Sequence, residues 1–253
     1  MIHALSLEEH FQAQTEERKR DPGTTMGIPV AFLLNPKEGV DFEFFVRGMN
    51  AIGGVVSNFS EHPTDTAVKI SYEDRSTELW VHSREEEYLD IYNEFCQSEL
   101  KIKLIGSFKN EGFAVDHSYN KASIPPDVDA YIRLFLVRAG PNSSWGAYYE
   151  QRLKDLFLSS GRVGLRHETV AIRTKLTGIK APLKGSKKAR NLENVAAVVR
   201  QLQKFELTDV AQFSTDFNTL AAFCGMADGE YVGMTVSIDS NADTNVVPHE
   251  KKQ

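Results

Sequence analysis

Two histidines in this chain have neighbours with which they could perform acid–base chemistry on a phosphodiester. His167 lies between Arg166 and Glu168, inside a segment rich in lysine and arginine. A histidine beside phosphate-binding cations can act as the general acid or base of RNA cleavage. His82 is the candidate for the other half of such a mechanism, although nothing in the spacing along the chain brings the two together. The candidate catalytic residue is therefore His167.

The dipeptide Asp116-His117 is a second arrangement with catalytic or metal-binding potential, because an aspartate can orient a histidine base or supply half of a metal site. It lies in a turn-rich stretch with no His-x₃-His or Cys-x₂-Cys spacing nearby, so polar surface is the favoured interpretation. The phosphate loop Gly-x₄-Gly-Lys-Ser/Thr, the dinucleotide motif Gly-x-Gly-x-x-Gly and the hydrolase motif Gly-x-Ser-x-Gly are all missing from the sequence. We predict no cofactor and no metal.

The charge distribution is the most informative property of the sequence. Residues 162–204, here called the basic segment, contain eleven lysines and arginines and only two acidic residues, which gives a net charge of +9. The whole chain carries −6, so the remainder carries −15. Clustered cations raise a local positive potential that phosphates relieve. The basic segment therefore predicts a polyanionic partner for one surface.

The densest part of the basic segment is a predicted loop at residues 177–190, here called the basic loop, directly before a predicted helix that starts at Asn191. Gly178, Pro182 and Gly185 interrupt regular structure there, and the helix start adds unpaired N–H groups. Such a loop suits an irregular phosphate backbone better than one fixed small ligand. The residues predicted to bind nucleic acid are Arg162, Arg166, Arg173, Lys175, Lys180, Lys184, Lys187, Lys188, Arg190 and Tyr149.

Aromatic residues just upstream add a means of stacking on bases, which is how many proteins hold single strands without reading sequence. Trp145, Tyr148 and Tyr149 share a predicted helix with Leu156, and that spacing is equally typical of a core; Tyr149 is the least core-like. The sequence has no zinc-finger spacing, RNP1-type strand or recognisable helix-turn-helix. The pattern favours single-stranded RNA or DNA held through its backbone.

An α+β fold in two lobes would have to position these residues. We predict an N-terminal helical arm at 1–27, a mixed α+β lobe with a small antiparallel sheet at 28–123, a mostly helical lobe at 124–236 and a disordered tail at 237–253. The arm starts with the capping box Ser6–Glu9 and has only a thin apolar edge at Leu7 and Phe11. We expect it to be solvated, with docking on a neighbouring subunit as the alternative.

Hydrophobic periodicity and turn residues predict the individual elements. In the first lobe they predict strands at 29–34, 68–72, 77–82 and 100–104, helices after Asp41 and after Ser83, and a linker or surface loop at 110–126. In the second they predict helices after Asp127, after Ser143 or Ser144, from Asn191 and over 210–220, with 165–176 compatible with either helix or strand.

Three hypotheses follow. The first is a non-enzymatic, sequence-tolerant protein of coat or nucleocapsid type that binds single-stranded nucleic acid and self-associates through its N-terminal arm. The second is a phosphodiester enzyme, a nuclease, that uses His167 with its basic neighbours. The third is a structural subunit whose basic face binds an acidic protein, and a merely solvated basic face is the alternative to all three.

The composition also predicts a location. Cys96 and Cys224 lie in apolar helical patterns and are expected to be buried thiols. The first residues do not resemble a signal peptide, and no apolar run approaches the roughly 18–20 residues of a membrane span. We expect a soluble protein of the cytoplasm or another reducing intracellular compartment, with no membrane partner.

Overall fold

The computed structural model describes residues 5–20, 29–73, 77–104, 106–146, 164–167, 170–181, 234–238 and 244–248. This part of the chain combines helices with an antiparallel sheet, so the predicted α+β class is confirmed for it. The helices predicted from Asn191 and over 210–220 lie outside the described residues, and so does Cys224.

The helices and strands are numbered here in chain order. They are α1 (Leu7–Arg20), β1 (Pro29–Leu34), α2 (Phe42–Ala51), β2 (Val55–Asn58), β3 (Ala67–Ser71), β4 (Glu78–His82), α3 (Tyr88–Ser98), β5 (Phe113–His117), β6 (Asp129–Arg138), α4 (Ala139–Trp145), β7 (Gly164–His167), α5 (Val170–Leu176), β8 (Met234–Ile238) and β9 (Thr244–Pro248). Short 3₁₀ turns lie at Pro36–Glu38 and Lys121–Ser123.

Seven of the described strands form one antiparallel sheet in the order β2-β3-β4-β6-β1-β7, with β5 also paired to β6. The first half of β6 lies between β4 and β1, since Ile132 is opposite Val81 on one side and Ala31 on the other. The second half pairs with β5, from Leu134 to Arg138. Ser118, just after β5, connects that strand to β1 and β6, because its hydroxyl lies 2.6 Å from the Val30 carbonyl and 2.7 Å from the Arg133 carbonyl, which share its one proton. Strand β6 is thus the centre of the sheet.

The sheet has a hydrophobic cluster on each face, and successive residues of β1 alternate between them. On one face Phe32 packs with Phe45 and Met49 of α2 and with Trp80. On the other, Ala31 and Leu33 belong to a larger cluster to which α1, α3, α4 and α5 all contribute. The alternation follows from the period of two along a strand. Both faces of the sheet are therefore covered by helices.

The prediction of a helix after Asp127 is wrong, because residues 129–138 form β6. From Ala130 to Val137 every residue is buried, including Arg133, since helices cover both faces of the sheet. A strand buried on both faces shows a continuous apolar run without alternation, and such a run contains helical spacings by default. As β6 pairs with β1, β4 and β5, the predicted lobe boundary at 123/124 cuts through a single sheet.

The prediction of a solvated N-terminal arm is also wrong. Helix α1 packs against the sheet, and its Leu7 and Phe11 are buried. Some of its polar side chains are buried as well because they find hydrogen-bond partners: Gln14 bonds the backbone of Leu136, and His10 bonds the hydroxyl of Tyr92. The thin apolar edge of the helix is therefore occupied within its own chain.

Several smaller predictions differ from the structure. Residues 110–126 contain β5, residues 100–104 form no strand, and 165–176 divides into β7 and α5. Helix α3 begins at Tyr88 rather than after Ser83, whose hydroxyl instead accepts from the Ala130 N–H and holds β6. The helix predicted after Ser143 or Ser144 starts earlier, at Ala139, and Pro141 lies in its first turn, where proline is tolerated.

The predicted strands at 29–34, 68–72 and 77–82 and the helix capped by Asp41 are confirmed in type and position. Asp41 caps α2 by accepting from the Phe44 N–H. Near the end of the chain, β8 and β9 pair as an antiparallel hairpin where the sequence predicted a disordered tail. None of the helices in the described ranges is both long enough and apolar enough to cross a membrane.

Candidate nucleic-acid interface

Four of the predicted nucleic-acid-binding residues lie in described parts of the chain. Arg166 lies in β7, opposite Ala31 of β1, Arg173 and Lys175 lie in α5, and Lys180 follows that helix. The other candidates, Arg162, Lys184, Lys187, Lys188, Arg190 and Tyr149, lie outside the described residues. Of the basic segment, the structure thus describes residues 164–167 and 170–181.

Lys175 is not a surface cation. Only 1% of its side chain is exposed, and its ammonium donates to a carboxylate oxygen of Asp116 at the end of β5. Ile172, Thr174 and Leu176 of the same helix are buried too. The prediction that Lys175 contacts nucleic acid is therefore corrected: its charge is paired inside the fold, and a phosphate cannot reach it.

Lys180 is exposed, and the residues around it fix the start of the basic loop. Helix α5 ends at Leu176, and Gly178 just beyond it has a φ of 71°, the left-handed conformation that favours glycine after a helix end. Ala181 then donates its N–H to the Ser144 hydroxyl at 2.8 Å. The side chain of Lys180 crosses Gly140 closely, since a Cβ there would lie 2.9 Å from the lysine Cε. The loop therefore starts along α4 with a cation facing solvent.

Trp145 belongs to the core, as the alternative interpretation of the aromatic residues predicted. It is 1% exposed, and its indole N–H donates to the Ile179 carbonyl at 2.8 Å. An indole held in this way cannot stack on a base. Its function in the structure is to attach the start of the basic loop to α4.

The sheet order separates the two histidines of the nuclease hypothesis. His82 lies in β4 and His167 in β7, with β6 and β1 between them. Neighbouring strands lie about 4.8 Å apart, so three steps put the two backbones roughly 14 Å apart or more. Two groups that act on one phosphate must both reach it within hydrogen-bond distance. The structure therefore does not place these two histidines on the same strand or on neighbouring strands.

The Asp116-His117 pair is also unsuited to catalysis. Asp116 is engaged with Lys175, and burial, with smaller contributions from Lys121 and Lys175, lowers the pKa of His117 to about 3. Its ring packs 4.4 Å from that of Tyr88. Nowhere in the described ranges do three or more histidine, cysteine or acidic side chains come together as a metal site would require. His117 is an interior histidine, and the polar-surface interpretation is corrected accordingly.

One feature that the sequence analysis missed is a cavity of about 370 Å³ beside α4. Its walls come from α3, the loop at 107–109, β5 and α4, and they include Tyr88, Phe108, Lys109, Asn142 and Ser143. No sequence pattern indicates it, because these elements are distant along the chain and two of them, β5 and α4, were not predicted. The cavity lies next to the start of the basic loop, since Ala139, Asn142 and Ser143 of α4 line it.

Comparisons with protein-family models, curated proteins and solved structures found no match to this chain. The chemistry of this site therefore has to be inferred from its own residues. In the described region it consists of an exposed cation at the start of the basic loop, a second at the mouth of the cavity, and polar groups on α4. These groups can bind an anion or a polar heterocycle.

Proposed function

We propose that this protein binds single-stranded nucleic acid without catalysis and with little sequence preference, through its basic segment. The observation that carries the proposal is the charge distribution, with +9 between residues 162 and 204 in a chain of −6. Lysines and arginines that neutralise phosphates release counterions, which drives binding to any sequence. The rest of the chain has a net charge of −15, which would repel the phosphates of a duplex from most of the protein surface.

The described part of the segment supports a contact centred on the basic loop rather than on α5. Lys175 is buried and paired with Asp116, whereas Lys180, near the start of the basic loop, is exposed to solvent. The loop residues Lys184, Lys187, Lys188 and Arg190 follow directly along the chain. A loop attached firmly at one end loses less conformational freedom on binding than a fully free one.

A coat-like or nucleocapsid-like role, in which copies of the protein associate along the strand, is part of the proposal. The apolar edge of α1 is already buried against its own sheet, so it is not the surface we propose for that association. Analytical ultracentrifugation of the protein with strands of increasing length tests it. We expect one further copy for each added site, and a single copy on every length would contradict the coat-like role.

The function itself is tested by fluorescence-anisotropy titration with labelled strands of unrelated sequence and with the matching duplexes. We expect similar affinities for all single strands, rising with length, and weaker binding of duplexes. Affinity for one sequence only would contradict the proposal. An absence of binding to any oligonucleotide at low salt would favour the acidic-protein partner instead.

The same samples test the nuclease hypothesis, for which His167 was the candidate. We expect the labelled strands to remain intact on a denaturing gel after long incubation. Cleavage that His167→Ala abolishes while binding survives would overturn the non-enzymatic proposal.

A further inference from the structure

The cavity beside α4 is a feature of the described region that the fold itself does not explain. Its volume of about 370 Å³ falls at the small end of the range of about 300–1,000 Å³ typical of ligand pockets. It is open to solvent on one side, where Leu89 is 46% exposed. A space of this size suits one planar ring system better than an extended ligand.

The walls of the cavity offer both stacking and hydrogen bonding. Phe108, Phe113 and Val115 form a buried apolar floor, and the half-buried ring of Tyr88 lines the cavity as well. Asn142 contributes an amide, which can both donate and accept. Apolar and aromatic walls with a few polar groups are what a nucleobase requires, because its faces are apolar and its edges polar.

One cation lines this cavity, and a second lies against a helix that lines it. Lys109 lines the cavity and is exposed. Helix α4 forms another part of the wall, and the start of the basic loop is bound to that helix through Ala181 and Ile179. Lys180 crosses Gly140, next to the lining residue Ala139. A strand held by the basic loop would therefore pass close to the mouth of the cavity.

We propose that the cavity takes one unstacked base of the bound single strand, while Lys109 and Lys180 contact phosphates beside it. This inference rests on the proposed nucleic-acid binding and deepens it. Stacking in a pocket accepts every base that fits, so the site adds affinity with little sequence preference. It also favours single strands over duplexes, because a paired base is not free to enter.

The test compares an oligothymidine strand of about 16 nucleotides, within the usual site size, with the same strand made abasic at every position. We expect the natural chain to bind the base-bearing strand about tenfold more tightly, in line with the stacking of one base. The cavity is then filled with aliphatic carbon in the double variant Ala114→Leu/Ser143→Leu. We expect this variant to lose the preference and to keep its affinity for the abasic strand.

The matched control is Ala51→Leu/Ser98→Leu, which makes the same two changes at exposed positions that do not line the cavity. It should keep the full preference. Photo-crosslinking of the natural chain to a strand carrying 5-iodouracil gives a second measurement, independent of whether the filled variant folds. We expect crosslinks to Tyr88 or Phe108.

The outcomes separate this inference from the proposed function. Equal binding of base-bearing and abasic strands, a preference that survives filling, or crosslinks confined to other peptides would overturn the cavity as a base site and leave backbone binding standing. If the natural chain binds neither strand at low salt, the proposed function fails and the cavity proposal fails with it.

Discussion

Lys175 and Asp116 form an ion pair in which the lysine side chain is 1% exposed and the aspartate 19%. Removing two charges from water costs several kcal/mol per ion, and their mutual attraction must compensate. The pair joins α5 to the end of β5, and so attaches the part of the basic segment that precedes the basic loop to the sheet. A count of lysines and arginines in the sequence therefore overestimates the number of cations on the surface. The position of a lysine in the sequence does not reveal whether it is buried beside an acidic residue.

Breaking this pair from the aspartate side should destabilise the protein strongly. Asp116→Asn leaves the ammonium of Lys175 buried without its counter-charge, and we expect a loss of about 3–5 kcal/mol in the free energy of unfolding. Urea denaturation measures it. Lys180→Met is the control, because an exposed lysine should change stability by no more than about 0.5 kcal/mol. Equal effects of the two substitutions would contradict the burial of Lys175.

The same two lysines should differ in binding. Lys180→Ala should weaken binding to all single strands alike and reduce the salt slope by about one. Lys175→Met, which removes a charge from the interior, should leave both quantities unchanged while the protein remains folded. The measurement is anisotropy across a salt series, and a loss of slope on Lys175→Met would show that its charge reaches the strand.

Two buried histidines predict an acid-sensitive fold. Burial lowers the pKa of His10 to about 4 and that of His117 to about 3, against an ordinary value of 6.5. Below pH 6.5 the unfolded chain takes up protons that the folded chain does not, so stability is highest above that value and falls as the pH drops towards 4. In that window each of the two histidines lowers the free energy of unfolding by up to about 1.4 kcal/mol for every unit that the pH falls.

The variant His117→Phe should retain more of its stability on acidification, because it lacks a group that takes up a proton in the unfolded chain but not in the folded one. Thermal denaturation at several pH values measures this. His62→Gln, a change at a half-buried histidine bonded to Glu94, serves as the control and should keep the acid-side loss. A His117→Phe profile that parallels the natural chain would show that His117 is not held neutral.

At the scale of elements, the contact between α1 and β6 explains how a polar helix becomes part of the core. Gln14 donates from Nε2 to the Leu136 carbonyl at 3.2 Å and accepts from the Leu136 N–H at 3.3 Å. Strand β4 pairs with β6 only at residues 131–133, so beyond that point the side chain of Gln14 provides the bonds of a missing strand. Apolar periodicity cannot reveal such a contact.

Gln14→Leu should therefore lower the free energy of unfolding by more than the burial of the side chain alone suggests. It removes both hydrogen bonds that Gln14 makes with the buried backbone of Leu136, and we expect a loss of about 2–3 kcal/mol in the free energy of unfolding. Gln12→Leu, on the exposed side of α1, is the matched control and should change stability by about 0.5 kcal/mol or less. If both variants unfold at the same urea concentration, α1 does not pack as described.

Strands β1 and β4 could be predicted although both of their faces are buried, because turn residues bound these short runs. For the other elements that could be predicted, a solvated face or a clear cap gave the signal. Strand β3, with Lys69 and Ser71 alternating with buried Val68 and Ile70, is the plain case, and α2 with its Asp41 cap is another. Strand β6 could not be predicted, because burial of both faces removes the alternation. The cavity could not be predicted for a related reason: β5 and α4, which form two of its walls, gave no correct signal.

At the scale of the whole molecule, the folded region places its sheet between helices on both faces, and the start of the basic loop emerges from the cluster of α4 and α5 on one of them. The sequence alone predicts that the positive charge is concentrated in one segment, since this follows from counting. It does not predict the surface on which the segment begins, which depends on the ion pair of Lys175 and on the indole of Trp145.

The central claim is that the basic loop binds the phosphates of a single strand. The most direct test is the salt dependence of single-strand affinity for the natural chain, for Lys184/Lys187/Lys188/Arg190→Ala, and for a control that removes the same charge from exposed positions elsewhere, Lys37/Arg47/Lys101/Lys103→Ala. We predict that the loop variant loses affinity at low salt and about three to four units of the slope of log affinity against log salt. The control should lose far less of both. Equal losses in the two variants, or a loop variant that binds like the natural chain, would contradict the account.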